Sequence, residues 1–432
     1  MPGVCVDVTE RNVTRERRRA AAASLIGTTI EWYEYYIYGA TAALVFPQLF
    51  FPVHNRFVST MLSFASFAVA FAVRPIGAVV FGHFGDRLGR KTTMVVTLVM
   101  TGIATFLVGV LPTYARIGIW APVLLVAFRL VQGFAVGGEW SGSALMALEW
   151  GDQKKRGAAG LWSQLGTSVG LILSILAVML SSYSTGSNFL RWGWRIPFLL
   201  SGFLIVIGLV VRFSVEETPS FARKVRSGEI ETHPFRFVMT HYLRETVLVA
   251  LLRMSENMPY YIFTAYILDY ATETAHLTRT FVLMATLAAA VVDLVLLPVF
   301  SILSDHVGRR RMYYAGCAVL IAMAFPYFRL LNSGNRTLIF LAISFSLLSH
   351  AMQYGVESSL ISEQFPVGVR YTGAGVGYQL SSIVAGGPAP LIASYLLATF
   401  GSGYAIAAYL VFGGIVSIVA LHFMEDRSAH EM

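Results

Sequence analysis

The sequence is poor in charged residues. Asp, Glu, Lys and Arg make up 13% of its 432 residues, whereas apolar residue types make up 56%. A soluble domain normally contains about 25% charged and about 45–50% apolar residues. A soluble chain of this length would need much more polar surface than this sequence provides. Together with a mean hydropathy of +0.64, the composition predicts an integral membrane protein.

Cysteine is scarce, and patterns typical of enzymes are missing. Cys5 and Cys317 are the only cysteines, and their wide separation suits neither a disulfide framework nor a metal site. The glycines at 137–138 and 373–387 lie in apolar runs and lack the GKS/T ending of a phosphate-binding loop. Small residues in such runs are typical of closely packed membrane helices. We therefore expect no enzyme, no metal and no cofactor other than a coupling proton.

Acidic residues are fewer than basic ones, which gives a net charge of +8. The basic residues form short clusters between apolar runs, as membrane topology predicts, and do not gather on one domain. Nucleic-acid binding is therefore not expected. The clusters at 87–91, 154–156 and 309–311 mark cytoplasmic connections, so both termini should be cytoplasmic. The basic N-terminus precedes an apolar run too long for a signal peptide and is interpreted as leading into the first membrane helix.

Long apolar runs predict about twelve transmembrane helices, since each needs roughly 20 mostly apolar residues. The approximate spans are 21–48, 57–82, 92–112, 119–149, 157–183, 193–214, 244–270, 279–303, 312–330, 337–364, 371–398 and 402–424. The expected fold is an all-α integral membrane protein with two pseudo-symmetric six-helix bundles. The predicted divisions are an N-terminal tail (1–20), a first bundle (21–214), a cytoplasmic linker (215–243), a second bundle (244–424) and a C-terminal tail (425–432).

Two echoes at about half the chain length indicate an internal repeat. GHFGDRLGRK at 82–91 is echoed by SILSDHVGRR at 301–310, so that Asp86 and Asp305 are 219 positions apart. The stretch from Glu149 to Arg156 is echoed 214 positions later by the stretch from Glu363 to Arg370. Weak internal repeats of this kind are typical of secondary transporters.

Ionisable residues inside the apolar runs are concentrated in segments one, two, four, seven, eight and ten. They are Glu31, Glu34, Arg74, Arg129, Glu139, Arg253, Glu256, Asp293, His350 and Glu357. A charge at the bilayer centre costs about 2.5–3.5 kcal/mol even on insertion scales. We therefore expect these groups to face a wet cavity or one another. Helical spacing supports this, because Glu31 and Glu34, three residues apart, share one face of segment one.

Several motifs resemble those of a known transporter family. GHFGDRLGRK is similar to the loop signature of the major facilitator superfamily, and FRLVQGFAVGGEW at 128–140 resembles its fourth-helix motif. IEWYEYYIYG at 30–39, WGWRIPF at 192–198 and EETPSF at 216–221 resemble the metabolite:proton symporter branch, above all its shikimate and alpha-ketoglutarate permeases. The departures are Glu34 where the family commonly has Asp, Ser141 and Ser301 for Gly, and His306 for Arg.

The resemblance implies alternating access around a central cavity lined by helices one, four, seven and ten. Candidate proton-coupling residues are Glu31, Glu34, Glu256 and Asp293. Candidate substrate-binding residues are Arg74, Arg129, Gln132, Gln164, Arg253, Tyr354, Tyr378 and Gln379. Removing a carboxylate from water favours its protonated form and a nearby Arg opposes this, while guanidinium grips carboxylates with paired hydrogen bonds. For each residue, a purely structural tie between helices remains the alternative.

The repeated loop motif predicts a cytoplasmic gate. Its candidate residues are Asp86, Arg87, Arg90, Glu149, Arg156, Asp305, Arg309, Arg310, Glu363 and Arg370. A carboxylate at a helix end can meet the positive N-terminus of another helix and nearby arginines. Topogenic charge alone would explain the arginines but not the aspartates between them.

The predicted function is a proton-coupled symporter that imports a small organic acid, a shikimate-like hydroxycarboxylate or a dicarboxylate. We expect a monomer in a bacterial-type inner membrane, with the lipid bilayer, protons and substrate as its partners. A betaine-like zwitterion symporter and a non-transporting sensor with the same fold are the open alternatives. Drug efflux is disfavoured because 160–174 lacks proline, and a sugar porter because the ending at 425–430 is atypical.

Overall fold

A computed structural model of the protein describes residues 10–150, 156–214, 234–366 and 368–427. The side chains of residues 10–16, 87, 88, 156 and 157 lie outside the described part, although their backbone is assigned. Among the described residues there is no β-strand, and twelve long helical segments follow one another. The prediction of an all-α membrane fold is confirmed.

The first six segments, which we call the N-half, are continuous helices. They are α1 (Glu10–Leu44), α2 (Arg56–Leu88), α3 (Arg90–Val110), α4 (Trp120–Trp150), α5 (Arg156–Thr185) and α6 (Ile196–Phe213). Short helices at Phe46–Leu49 and Tyr114–Ile117 and short 3₁₀ turns at Gly186–Asn188 and Gly193–Arg195 occupy the connections.

The last six segments, which we call the C-half, include three broken ones. Segment α7 comprises Leu243–Leu252, Met254–Tyr261, a π-helical turn at Ile262–Tyr266, and Ile267–Glu273; α10 comprises Arg336–Ser344 and Leu348–Ser362; α11 comprises Arg370–Ser381, a π-helical turn at Ser382–Gly386, and Pro388–Phe400. The continuous ones are α8 (Arg279–Val307), α9 (Arg309–Leu331) and α12 (Gly403–Phe423). Pro259 and Pro388, which lack the N–H that a regular helix needs, lie close to the π-helical turns of α7 and α11.

Ten of the twelve segments in the described part are long and apolar enough to cross a membrane. The two exceptions are α1 and α7. Segment α1 carries Glu31 and Glu34 among several tyrosines, and α7 carries Arg253 and Glu256. Each of the two exceptions therefore carries two of the buried ionisable candidates.

Two boundaries differ from the sequence-based expectation. Segment α1 begins at Glu10, so the predicted tail of residues 1–20 is helical from that point. The stretch is rich in Arg, Glu and Ala, which favour helix. Within the predicted linker, a helix forms at Pro234–His241 and α7 already begins at Leu243. Residues 215–233 lie outside the described part.

The repeat is visible in the backbone. Gly89, between α2 and α3, has φ 103°, and Gly308, between α8 and α9, has φ 100°. These two glycines are separated by the same 219 positions as the two aspartates of the repeated motif. A positive φ of this size is strained for any other residue, so both copies require glycine at the turn. The halves pack against each other mainly through α5 with α8 and α2 with α11.

Candidate functional site

The predicted gate residues form contacts both within and between the halves. Within the halves, Nη2 of Arg90 lies 3.0 Å from Oε1 of Glu149, and Arg309 forms the equivalent ion pair with Glu363. These pairs occupy corresponding positions in the two repeats. They tie each repeated loop to its own half.

Both repeat aspartates reach across to the other half. Oδ2 of Asp86 accepts a hydrogen bond of 2.9 Å from Oγ1 of Thr372 on α11. Oδ2 of Asp305 accepts one of 3.3 Å from the backbone N–H of Ala158, in the first turn of α5. This is the carboxylate-to-helix-N-terminus contact that the motif predicts. The end of the molecule that carries the basic loops is therefore closed by direct bonds between the halves.

The remaining gate candidates with described side chains, Arg310 and Arg370, donate hydrogen bonds to backbone carbonyls of their own half. Nη2 of Arg310 donates to the carbonyl of Leu421 at 2.7 Å, and Nε of Arg370 donates to that of Phe365 at 3.0 Å. Both contacts stay within the C-half. The side chains of Arg87 and Arg156 lie outside the described part.

The opposite end is also bridged. Arg56 at the start of α2 forms an ion pair with Glu273 at the end of α7. These two side chains, together with His54 and Arg279, line an open cavity of about 570 Å³. Between the two ends, Tyr36 on α1 donates a 2.6 Å hydrogen bond to Tyr260 on α7.

The centre between the halves is nearly filled by aromatic side chains. A cavity of about 20 Å³ lies there, lined by residues that include Tyr35, Tyr36, Phe67 and Tyr261. The structure thus has contacts between its halves at both ends and little space at this point in the middle. Of the two expectations for the buried charges, a wet cavity or mutual contact, this closed state shows mutual contact for Glu139 and for the charged groups of the C-half.

In the N-half, polar side chains connect an arginine to a carboxylate. Nη1 of Arg129 donates to Oε1 of Gln132 at 3.1 Å, and Nε2 of Gln132 donates to Oγ1 of Thr105 at 2.6 Å. The Thr105 hydroxyl lies 3.0 Å from Oε2 of Glu34 and 2.9 Å from the carbonyl of Thr101. A hydroxyl has one proton, so Thr105 can donate to only one of these two acceptors at a time.

Arg74 and Arg129 are buried cations that form no ion pair with any carboxylate in the described part. Their guanidinium carbons lie 4.3 Å and 4.1 Å from the ring centroid of Tyr35. Nε of Arg74, and Nε and Nη2 of Arg129, have no hydrogen-bond partner although they are buried. Buried donors are normally satisfied, so this region offers unused hydrogen-bond donors to an anion.

The other two N-half carboxylates differ in their surroundings. Glu139 on α4 pairs with Arg212 near the end of α6. Glu31 lies within electrostatic range of Glu139 and Arg74. From sequence, Arg212 looks like a topogenic charge at a helix end, and its burial was not foreseen.

The C-half holds a denser ionic network. Arg253 on α7 pairs with Glu357 on α10 and, at 3.0 Å, with Oε2 of Glu256 on its own helix. Nδ1 of His350 lies 2.9 Å from Oδ1 of Asp293, and its Nε2 lies 3.6 Å from Oε1 of Glu256. Asp293, which has no neighbouring charge in the sequence, therefore has an ionisable partner in space.

The neutral candidates mostly join the two halves. Nε2 of Gln164 donates to the carbonyl of Tyr354 at 2.9 Å, and Nε2 of Gln379 lies 3.5 Å from the carbonyls of residues 136 and 137. The Tyr378 ring stacks on Trp140 with centroids 3.8 Å apart, and the guanidinium carbon of Arg253 lies 3.3 Å from the centroid of the Tyr378 ring. Sequence reasoning missed Thr105, Ser168 and Trp140, because lone hydroxyls and an aromatic carry no signal without their partners.

A helical bundle with repeated halves, paired gate motifs and central charge clusters defines a multi-pass membrane transporter of the major facilitator type. The family model described as "sugar (and other) transporter" matches residues 20–236 and 223–426. The chain belongs to this family, and its relatives and fold are those of transporters and not of enzymes. The predicted membership of the major facilitator superfamily is confirmed.

Individual relatives cover almost the whole chain. The chain is 40% identical to the shikimate transporter of Escherichia coli (strain K12) over 423 residues, covering 95% of this chain and 94% of that protein. It is 39% identical to the inner membrane metabolite transport protein YhjE of the same strain, covering 94% and 93%. It is 33% identical to that strain's proline/betaine transporter, covering 98% and 87%.

Among solved structures, the proton:xylose symporter XylE bound to 6-bromo-6-deoxy-D-glucose superposes with a TM-score of 0.72. The sequence identity is 15%, and 95% of each chain is covered. At this identity the match establishes the fold.

Proposed function

We propose that this transporter is a proton-coupled symporter that imports a small organic acid by alternating access. The observation that carries the proposal is the pair of buried guanidinium groups of Arg74 and Arg129, which have unused donors and no carboxylate partner in the described part. Buried cations are costly unless they are paired. A carboxylate substrate supplies that pairing with charge-assisted hydrogen bonds.

Charge balance in the N-half supports coupling to a proton. The carboxylates of the described central part, Glu31, Glu34 and Glu139, equal in number its guanidinium groups, Arg74, Arg129 and Arg212. A substrate carboxylate adds one negative charge to this balanced set. One proton bound in the same half restores neutrality, so anion and proton favour each other's binding.

Glu34 is the proton-carrying group that fits this scheme. It is 1% exposed, and it is linked to Arg129 only through the neutral side chains of Gln132 and Thr105. A substrate that takes over Arg129 frees Gln132 and changes the hydrogen bonds around Thr105. The hydrogen bond between the Thr105 hydroxyl and the Glu34 carboxylate then forms or breaks, which changes the affinity of Glu34 for a proton.

Transport requires that the two end closures open alternately. The bonds of Asp86 and Asp305 across the halves would break in the inward-facing state. The Arg56–Glu273 pair would break in the outward-facing state. On this scheme the basic loops face the cytoplasm and both termini are cytoplasmic.

A zwitterion of the betaine type is the second candidate. Trp32 and Tyr36 stack with centroids 5.3 Å apart, and Trp32 and Tyr260 meet at 6.3 Å. Aromatic groups of this kind bind quaternary ammonium ions by cation–π attraction. The proline/betaine transporter among the relatives favours the same alternative.

A thermal-shift panel tests the proposal. Purified protein is heated with shikimate, alpha-ketoglutarate, proline or glycine betaine, on both sides of neutral pH. We expect an acid to stabilise the protein, and to do so more strongly at the lower pH. At a concentration of 100 times Kd, a ligand stabilises by about 2.7 kcal/mol. Arg129→Gln should remove the shift, whereas Arg116→Gln, at an exposed arginine, should keep it.

The panel has two contrary outcomes. Stabilisation by glycine betaine or proline at both pH values, with no response to acids, would favour the zwitterion candidate. An acid response that survives in Arg129→Gln would contradict the proposed binding site.

A further inference from the structure

His350 lies between two carboxylates in the C-half. Its Nδ1 is 2.9 Å from Oδ1 of Asp293, and its Nε2 is 3.6 Å from Oε1 of Glu256. The three residues are at most 4% exposed. We propose that His350 carries an exchangeable proton as an imidazolium held between Asp293 and Glu256, and that this cluster is a proton-binding site separate from Glu34.

The two ring nitrogens support this assignment. A neutral imidazole has one N–H donor and one acceptor nitrogen, whereas an imidazolium has two donors. Each nitrogen of His350 faces a carboxylate oxygen. With a neutral ring, one of these contacts would set a lone pair against an ionised oxygen. With an imidazolium, both contacts are attractive.

The charge of the C-half points to the same conclusion. In the described central part, Glu256, Asp293 and Glu357 are three buried carboxylates, and Arg253 is a buried guanidinium that pairs with Glu256 and Glu357. If His350 is neutral and all three acids are ionised, two negative charges lack compensation. Uncompensated charge in a protein interior is strongly unfavourable. A proton on His350 reduces the imbalance by one.

The groups that face the imidazole come from several elements. They are Glu256 and Tyr260 from α7, Asp293 from α8, and Tyr354 and Glu357 from α10, with Ser168 of α5 bonded to Asp293. Tyr260 and Tyr354 have ring centroids 4.4 Å and 4.8 Å from the imidazole. The two tyrosine rings pack against the His350 imidazole, and the charged groups nearest to the imidazole are carboxylates.

A hydrogen bond from α5 links Asp293 of this cluster to the N-half. Oγ of Ser168 on α5 donates to Oδ2 of Asp293 at 2.6 Å. When α5 and α8 separate, Asp293 loses a donor that favours its ionised form. Opening therefore changes how firmly the cluster holds its proton. The proton enters from water and leaves to water, and the ring alternates between imidazolium and neutral imidazole.

This assignment rests on the proposed function for its role in transport, but the presence of the proton can be measured without any transported compound. The full-length protein, with isotope-labelled histidine, is studied in lipid bilayers by solid-state nitrogen NMR. The spectrum is titrated over roughly pH 5 to 8, where histidine charge ordinarily changes. We expect an imidazolium resonance that disappears in His350→Asn and persists in His422→Asn, which removes an exposed histidine.

Two serine variants test the link to the N-half. Ser168→Ala should change the midpoint of the His350 resonance, because Asp293, the hydrogen-bond partner of His350, loses its donor on α5. Ser174→Ala on the same helix removes a hydroxyl that donates only to the carbonyl of Leu171 and should leave the midpoint unchanged. Each serine change removes one oxygen, so it is informative even if His350→Asn does not fold.

The site would be overturned if His350→Asn retained every imidazolium resonance of the parent protein. The link would be overturned if the two serine variants shifted the midpoint equally. Failure of every organic acid to be transported would contradict the proposed function alone, because the spectrum would still report the proton on His350.

Discussion

The N-half and the C-half bury equal numbers of central carboxylates but unequal numbers of cations. Among the central groups of the described part, which exclude the gate residues, three guanidinium groups accompany the three carboxylates of the N-half, whereas Arg253 and His350 accompany those of the C-half. The N-half is therefore balanced when every group is ionised and the C-half is not. The comparison suggests that the N-half receives an anion together with the coupling proton of Glu34, and that the C-half holds a separate proton.

The halves also differ in how their charges are connected. Arg253 contacts Glu256 and Glu357 directly, whereas Arg129 reaches Glu34 only through Gln132 and Thr105. Direct ion pairs fix a structure, while a chain of neutral groups can rearrange when a ligand binds. The C-half network is thus the more rigid of the two, and the N-half network the more responsive.

The largest expected effect separates the two arginine environments. Arg253→Gln leaves Glu357 and Glu256 without their cation, and breaking a buried ion pair costs about 3–5 kcal/mol. Arg129→Gln removes a cation with no carboxylate partner in the described part and should destabilise much less. Thermal unfolding of both variants measures the difference, with the exposed Arg244→Gln on α7 as the control. Equal destabilisation by Arg253→Gln and Arg129→Gln would contradict the comparison.

The next effect concerns coupling. Glu34→Gln keeps a hydrogen-bond acceptor for Thr105 but cannot exchange a proton. We expect this variant, in proteoliposomes, to exchange the transported acid at equal pH on both sides but not to accumulate it in response to a pH gradient. Normal pH-driven accumulation by Glu34→Gln would move the coupling site away from the N-half.

A smaller effect is expected at Thr105. Thr105→Val keeps the shape of the side chain but removes the hydroxyl that joins Gln132 to Glu34 by hydrogen bonds. The loss of one hydrogen bond to a charged group, about 1.5–3 kcal/mol, should weaken accumulation while exchange continues. Thr97→Val on the same helix removes a hydroxyl that donates only to a local carbonyl and serves as the control. If both variants accumulate the acid equally well, the hydrogen bonds through Thr105 do not couple Arg129 to Glu34.

The smallest effect is expected at the exposed end. Arg56 and Glu273 join the halves there, with side chains 68% and 42% exposed. Such a pair typically contributes about 0–1 kcal/mol. Arg56→Gln should therefore leave thermal stability almost unchanged and produce at most a few-fold change in uptake rate. A large loss of stability would show that this pair does more than bridge the opening.

Much of the fold followed from the sequence because membrane helices obey a local rule. Apolar runs of sufficient length predicted the twelve segments to within several residues, apart from the early start of α1 and the breaks in α7, α10 and α11. Pro259 and Pro388 lie in the broken segments α7 and α11, whereas α10 breaks without a proline, and a hydropathy pattern does not report these breaks. The repeat of Asp86 and Asp305 predicted corresponding turns, and Gly89 and Gly308 have the same conformation.

The candidate site was only partly predictable. The sequence identified nearly every buried ionisable residue, because a charge within an apolar run is visible without a structure. It did not identify Arg212, which lies at the end of a helix, or the hydroxyl groups of Thr105 and Ser168. Such groups matter through their partners, and residues 71 and 125 positions apart become partners only on folding.

The sequence by itself determined that this chain is a helical membrane transporter with two related halves and many ionisable residues within its apolar segments. Each of these properties follows from local composition or from the internal repeat. Only the tertiary structure decided which charges meet. Ion pairs and hydrogen bonds act over a few ångströms, and helix packing alone brings His350 between Asp293 and Glu256 while leaving Arg74 and Arg129 without a carboxylate in the described part.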